Sequence, residues 1–120
     1  GDILRCIIDS LALQHRLVLE RIEGLAQKRF AGLHIVGGGA QNEALCQCTA
    51  NALGREVWAG PYEGTAIGNV LVQCIALGEI ESVQQARRIV RNSFPVTTYQ
   101  PENVDVWEKA YALFRQVTRQ

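Results

Sequence analysis

Apolar and polar residues follow one another along this chain with spacings that separate helices from strands. Over residues 3–27 the apolar side chains recur every three or four positions, which predicts one long amphipathic helix. The same helical spacing returns over residues 43–53 and 104–117. Two short apolar runs, residues 33–36 and 56–59, are bounded by glycine and predict buried strands instead.

The second half of the chain adds two more helices. Residues 65–77 are small and apolar almost throughout, which predicts a helix buried against a close neighbour. Ser82 is placed to N-cap the next helix, which Phe94 and Pro95 end, and residues 96–99 look extended. The alternation of helices and strands predicts a helix-rich α/β layer with two short parallel strands. Because two strands rarely form a stable parallel sheet alone, we expect part of a domain, with further strands upstream of residue 1.

Composition and charge narrow the classes of function. The 120 residues are 48% hydrophobic and 20% charged, with 12 basic and 12 acidic side chains, as expected for one ordinary domain. A net charge of zero gives no general field for a polyanion, so we expect neither nucleic-acid nor membrane-surface binding. No apolar run approaches the roughly 20 residues that span a bilayer. The first residues also lack a signal-peptide pattern, and we expect a cytoplasmic protein.

The cysteines do not predict a zinc site. They lack C-x-x-C spacing, and neither histidine stands at ligand spacing from them. We expect all four to be buried as small hydrophobic side chains in a reducing compartment: Cys6, Cys46, Cys48 and Cys74.

Three glycines, Gly37, Gly38 and Gly39, follow the first predicted strand and precede a predicted helix. Glycine admits positive φ and lets a ligand approach the main chain, and a helix start offers free N–H groups to a phosphate. Asn42 carries an amide that suits an adenine edge and equally an N-cap. The pattern matches neither the dinucleotide fingerprint nor the P-loop, so geometry alone leaves both a nucleotide site and a plain tight turn open.

A second small-residue stretch occupies residues 60–69. Its Gly60-Pro61 pair predicts a stiff turn, and Ala66 and Gly68 allow another backbone to come close. Glu63 has two interpretations, a catalytic carboxylate or a partner for the helix dipole. The second is the commoner role of a lone Glu at a helix start.

Together, in this order and spacing, the two stretches resemble motifs of the FGGY carbohydrate kinases. Residues 33–42, LHIVGGGAQN, resemble the adenosine motif of that family, and residues 59–69, AGPYEGTAIGN, resemble the segment that follows it. Residues 7–13 and 94–101 extend the likeness over nearly the whole chain. Within the family, the likeness is closest to the members that phosphorylate L-rhamnulose.

The resemblance implies the C-terminal part of a ribonuclease-H-like domain of the actin, hexokinase and Hsp70 ATPase type, with residues 1–120 in the ATP-binding domain. It implies transfer of the γ-phosphoryl group of Mg-ATP to the 1-hydroxyl of L-rhamnulose during L-rhamnose use in the cytoplasm. Gly37, Gly38 and Gly39 match the turn along the α-phosphate and ribose. Gln41 and Asn42 complete the expected nucleotide site, with Asn42 against adenine. Residues 63–68 match a helix start near the interdomain hinge, where the family usually has Ala instead of Gly64.

Other parts of the family site have no match in this chain. The Asp general base, the turns that bind the phosphates and Mg²⁺, and most of the sugar pocket lie upstream in the family. Asp2, Asp9 and Asp105 do not match that base, so we expect no catalytic residue, no metal ligand and no kinase activity from these residues alone. The alternatives are a kinase for L-fuculose or D-xylulose, or a non-catalytic scaffold or dimerisation module.

If the further strands lie upstream, the strand predicted at residues 33–36 has one edge without a partner in this chain. Such an edge, next to apolar surface, favours pairing with another copy. We therefore expect a homo-oligomer through exposed strand or helix faces.

Overall fold

The computed structural model describes residues 1–118, which form five α-helices, three β-strands and one short 3₁₀ helix. In chain order these are α1 (Asp2–Ala26), β1 (Gly32–Ile35), the 3₁₀ helix (Gly37–Gln41), α2 (Glu43–Leu53), β2 (Glu56–Ala59), α3 (Gly64–Ala76), α4 (Val83–Ser93), β3 (Thr97–Tyr99) and α5 (Val104–Val117). Every helix predicted from the sequence is present within one or two residues of its expected ends.

The sheet is mixed, in the order β1-β2-β3. β1 and β2 pair in parallel, with Leu33 opposite Val57, which confirms the two parallel strands. The predicted number of strands in the sheet, two, is wrong, because β3 adds a third, antiparallel strand with Tyr99 opposite Val57. After Pro95 ends α4, the chain returns along β2 and satisfies backbone groups on its second edge.

α2 lies between two hydrophobic clusters. Leu33, Ile35 and Val57 of the sheet pack in one cluster with Cys46, and Cys48 belongs to the other, beside α1 and α5. Residues two apart on a helix point to different sides, so the two thiols enter different clusters. Burial raises the pKa of both. The expectation that all four cysteines are buried is wrong for Cys6, which is exposed on the first turns of α1, and for Cys74, which is partly buried.

The prediction that α3 is buried is wrong within the described residues. None of its positions is buried there, and Val72 remains 64% exposed. α3 packs on α4, and residues 1–118 supply no comparable neighbour for its other sides. Neither α3 nor any other helix described here combines the length and apolar composition needed to cross a membrane.

Side-chain contacts attach α1 to the rest of the fold. The Arg55 guanidinium donates to both carboxylate oxygens of Glu23, at 2.6 and 3.2 Å. The Phe30 N–H also donates to Glu23, at 2.6 Å, and these bonds hold the pKa of Glu23 below its ordinary value. Because Phe30 lies just before β1, this carboxylate positions the strand that leads to the glycine residues.

A second contact of this kind holds α5 against α1. The Tyr111 hydroxyl donates to Glu20 at 2.6 Å, and the Arg16 guanidinium lies 4.1 Å from the Tyr111 ring centroid. Burial, and then the Glu20 carboxylate, raise the pKa of Tyr111 to about 12. Burial acts to raise the pKa of Glu20, but the bonds from Tyr111 and Arg16 bring it below its ordinary value.

Candidate functional site

The two glycine-containing stretches meet at one edge of the sheet. The Gly60 N–H donates to the Ile35 carbonyl at 2.9 Å, and the Gly37 N–H donates to the Pro61 carbonyl at 3.2 Å. These bonds join the segments that leave the carboxyl ends of β1 and β2. In α/β sheets, ligands bind outside the carboxyl ends of parallel strands. The fold therefore places both sequence-predicted stretches where such sites occur.

The three glycines form the first residues of the 3₁₀ helix and differ in what surrounds them. Gly37 has φ of 75°, a left-handed conformation that costs other residues roughly 1–2 kcal/mol. A Cβ on Gly39 would lie 3.5 Å from a methyl group of Ile35. A Cβ on Gly38 would meet no described atom within 4 Å. The exposed Gly38 backbone is thus open to a ligand.

Asn42 is the N-cap of α2, which is one of the two roles that the sequence predicts for it. Its Oδ1 accepts a hydrogen bond from the Leu45 N–H at 3.0 Å and caps α2. The side chain is exposed, and its amide nitrogen donates no hydrogen bond within residues 1–118. Gln41, which completes the expected site, is exposed beside it at the end of the 3₁₀ helix. The cap therefore leaves one polar group of Asn42 available to a ligand.

His34 also belongs to this edge, although sequence reasoning did not select it. Its Nε2 forms a hydrogen bond with the Gly60 carbonyl, so this nitrogen carries the proton. Leu33 and Ile35 face the core beside α2, and His34 between them points to the other face of the sheet. The alternation of side chains along β1 could have shown that His34 faces away from the core. Which carbonyl accepts its hydrogen bond, however, depends on the pairing of β1 with β2.

Three residues of the second stretch have structural roles. Gly60 has φ of 117°, and a Cβ there would lie 2.7 Å from the Pro95 carbonyl, so a larger residue does not fit. Glu63 occupies the N-cap position of α3 with its side chain exposed, as expected for a partner of the helix dipole. A Cβ on Gly64 would lie 3.3 Å from the Val36 side chain, so this glycine lets α3 begin close to the end of β1.

Metal ligands are a separate question from the nucleotide turn. Residues 1–118 contain no group of three or more His, Cys, Asp or Glu side chains placed to hold a metal ion. Mg²⁺ in proteins is bound chiefly by carboxylates, phosphate oxygens and water. We therefore assign none of the described residues as a Mg²⁺ ligand.

Comparison with known proteins matches residues 1–77 to the C-terminal domain of the FGGY family of carbohydrate kinases. The rhamnulokinase of Bacteroides thetaiotaomicron is 44% identical over 119 residues, which are 99% of this chain and 24% of that protein. The rhamnulokinase of Bacillus subtilis is 41% identical over 88% of this chain and 22% of that protein. That of Halalkalibacterium halodurans is 43% identical over 82% of this chain and 21% of that protein. The chain thus spans less than a quarter of the length of these curated relatives.

Proposed function

The chain belongs to the FGGY family of carbohydrate kinases, and from this membership we propose that it is part of a rhamnulokinase. The reaction is transfer of the γ-phosphoryl group of ATP to the 1-hydroxyl of L-rhamnulose in L-rhamnose catabolism. Residues 1–120 contribute part of the C-terminal, ATP-binding domain, whose fold is of the ribonuclease-H-like type. The protein acts in the cytoplasm, and its sugar pocket is formed mainly by the N-terminal domain of the kinase.

The pair of backbone hydrogen bonds between the two stretches is the observation on which this proposal depends most. The bonds from Gly37 to Pro61 and from Gly60 to Ile35 hold the glycine residues at the carboxyl edge of the parallel pair. Gly38 there has room on its exposed side for a ligand to contact the main chain. This placement supports a nucleotide site more strongly than a tight turn, which needs neither the open side nor the position at the strand ends.

The proposed contacts follow the order of the residues along the turn. Gly37, Gly38 and Gly39 lie along the α-phosphate and ribose, and the free amide nitrogen of Asn42 donates to the adenine ring. Gln41 flanks the same end of the nucleotide. Mg²⁺ neutralises charge on the phosphates when bound with ATP, and the residues of this chain hold and orient the nucleotide without acting on the transferred phosphoryl group.

Nucleotide titration of the ¹⁵N-labelled chain tests the proposal directly. We expect millimolar ATP to shift the amide signals of Gly37, Gly38, Gly39, Gln41 and Asn42. Gly38→Ala should abolish these shifts, because the added methyl occupies the side from which the nucleotide approaches. It should leave the free energy of unfolding unchanged or raise it by about 0.4–1 kcal/mol, since Gly38 meets no described atom there and has no positive φ.

Gly24→Ala is the matched control. Gly24 lies in α1 and also has no described atom within 4 Å of an added Cβ, so the same substitution is tolerated away from the turn. This variant should bind ATP as the unmodified chain does. Absence of shifts in the unmodified chain, or equal binding by Gly38→Ala, would instead favour a structural turn in a scaffold or dimerisation module.

A further inference from the structure

The side of α1 that faces away from the core carries an apolar stripe. Six side chains on it remain between 42% and 88% exposed within residues 1–118: Leu4, Ile7, Leu11, Val18, Ile22 and Leu25. At 3.6 residues per turn, these positions fall within about 60° of one another around the helix axis. The stripe therefore runs straight along nearly the whole of this 25-residue helix.

Charged side chains of α1 lie outside this stripe. Ion pairs engage many of them on the other sides of the helix: Arg5 with Asp9, Arg16 with Glu20 and Glu108, and Glu23 with Arg55. None of the six stripe positions holds a charged residue. A surface that covers the stripe must therefore itself be apolar.

The stripe is symmetric about its own midpoint, which lies between Gln14 and His15. Leu4 and Leu25 stand at equal distances from that point, as do Ile7 and Ile22, and Leu11 and Val18. A two-fold interface between identical chains needs this property, because wherever residue i contacts j of the partner, j also contacts i. A different protein, or another segment of the same protein, needs no such symmetry in the face that it covers.

We propose that the stripe binds the same stripe of a second copy, with the two α1 helices antiparallel and the two-fold axis beside Gln14 and His15. Leu11 of one copy then faces Val18 of the other. A single helix pair about 37 Å long forms an interface at the low end of specific ones. The dimer should therefore dissociate at micromolar rather than nanomolar concentration. The inference is independent of the nucleotide site.

Charge substitution tests which residues face each other. In sedimentation velocity, Leu11→Lys and Val18→Glu should each weaken dimerisation at least tenfold, because each buries a charge opposite an apolar side chain. Both substitutions in one chain should recover most of the affinity, since the antiparallel arrangement places each Lys opposite a Glu of the other copy. In a parallel pair Lys would face Lys, and the double variant would be the weakest.

Crosslinking tests the direction independently. Cys6→Ser first removes the exposed native thiol. In that background, Gln14→Cys should form an intermolecular disulfide under mild oxidation, because the two copies of residue 14 lie beside the axis. Ile3→Cys should not, since its two copies lie about 35 Å apart along antiparallel helices. The Cys6→Ser chain alone should give no crosslinked dimer.

Leu113→Lys is the matched control. Leu113 is 62% exposed on α5, so the same substitution there should leave dimerisation unchanged. Dimers that persist in Leu11→Lys, or crosslinking at Ile3→Cys as fast as at Gln14→Cys, would overturn the proposal. A monomeric unmodified chain at high concentration would also overturn it, and would assign the stripe to a contact with other residues of a longer protein.

Discussion

His15 couples the charge of a single side chain to the stability of the whole fold. Its Nδ1 lies 3.1 Å from the Thr49 Oγ1 between α1 and α2, and Thr49 is fully buried. Burial favours the neutral imidazole and therefore lowers the pKa of His15. In the unfolded chain the group returns to a pKa of about 6.5. Below that pH the unfolded state takes up a proton that the folded state resists.

We predict that the free energy of unfolding decreases as pH falls from about 6.5 through the lowered pKa of folded His15. Urea unfolding at a series of pH values measures this slope, and His15→Gln, which has no titrating ring, should reduce it. Glu20 and Glu23 also have lowered pKa values, but their contribution is lost only below about pH 4.3. Equal slopes for both chains above that pH would contradict the prediction.

Among the elements, α2 begins at a residue with two separable functions. The Asn42 Oδ1 caps the helix, while the proposed adenine contact uses the amide nitrogen. Asn42→Ala should lower the free energy of unfolding by about 1 kcal/mol, whereas Asn42→Asp should retain stability because Asp is an equally good cap. Both variants should bind ATP more weakly, since both lack the donor. Unfolding in urea and the ATP titration measure the two effects.

Ser82 provides the control for that experiment at another helix. Its Oγ accepts from the Gln85 N–H at 3.2 Å and caps α4. Ser82→Ala should therefore cost a similar amount of stability with no loss of adenosine binding. Unchanged ATP affinity in Asn42→Asp would show that the cap is the sole function of Asn42.

The molecule as a whole is more extended than a compact domain of its length, and it exposes much apolar surface. The radius of gyration is 16.8 Å, against about 14 Å for a compact domain of this length. On α1, the side opposite the core leaves Leu4 62% and Leu25 88% exposed. Apolar surface of this kind favours contact with further protein.

We predict that the 120-residue chain forms a homodimer or larger assembly that buries the exposed face of α1 or the free edge of β1. Sedimentation velocity measures the state. Leu4→Lys should shift it toward monomer, while Val106→Lys, at a position on α5 that is 66% exposed, should not. A monomeric unmodified chain at high concentration would contradict the prediction.

We also predict that these residues alone do not catalyse phosphoryl transfer. The proposed site holds the nucleotide, and transfer further requires a base on the sugar hydroxyl and charge neutralisation at the γ-phosphate. A coupled assay for ADP release with L-rhamnulose measures the activity. ATP-dependent turnover of the sugar by the purified 120-residue chain would overturn this expectation.

Local signals in the sequence were enough to predict the elements themselves. Gly54 ends α2 in a left-handed conformation with φ of 61°, and Asn42 and Ser82 cap the helices that follow them. Such signals act between residues a few positions apart, so they can be read without knowing the fold. The same holds for the helical spacing of apolar residues in α5, which buries Trp107 and Tyr111.

Contacts between segments that are far apart in the sequence decided the third strand and the exposure of α3. Residues 96–99 read only as extended, and β3 became a strand because the edge of β2 was there to pair with it. α3 reads as a buried helix, yet only α4 packs against it closely among the described residues. By itself the sequence determined the helices, the parallel strands and the family motifs. The tertiary structure decided that Gly37 meets Pro61, because that contact depends on the parallel pairing of β1 with β2.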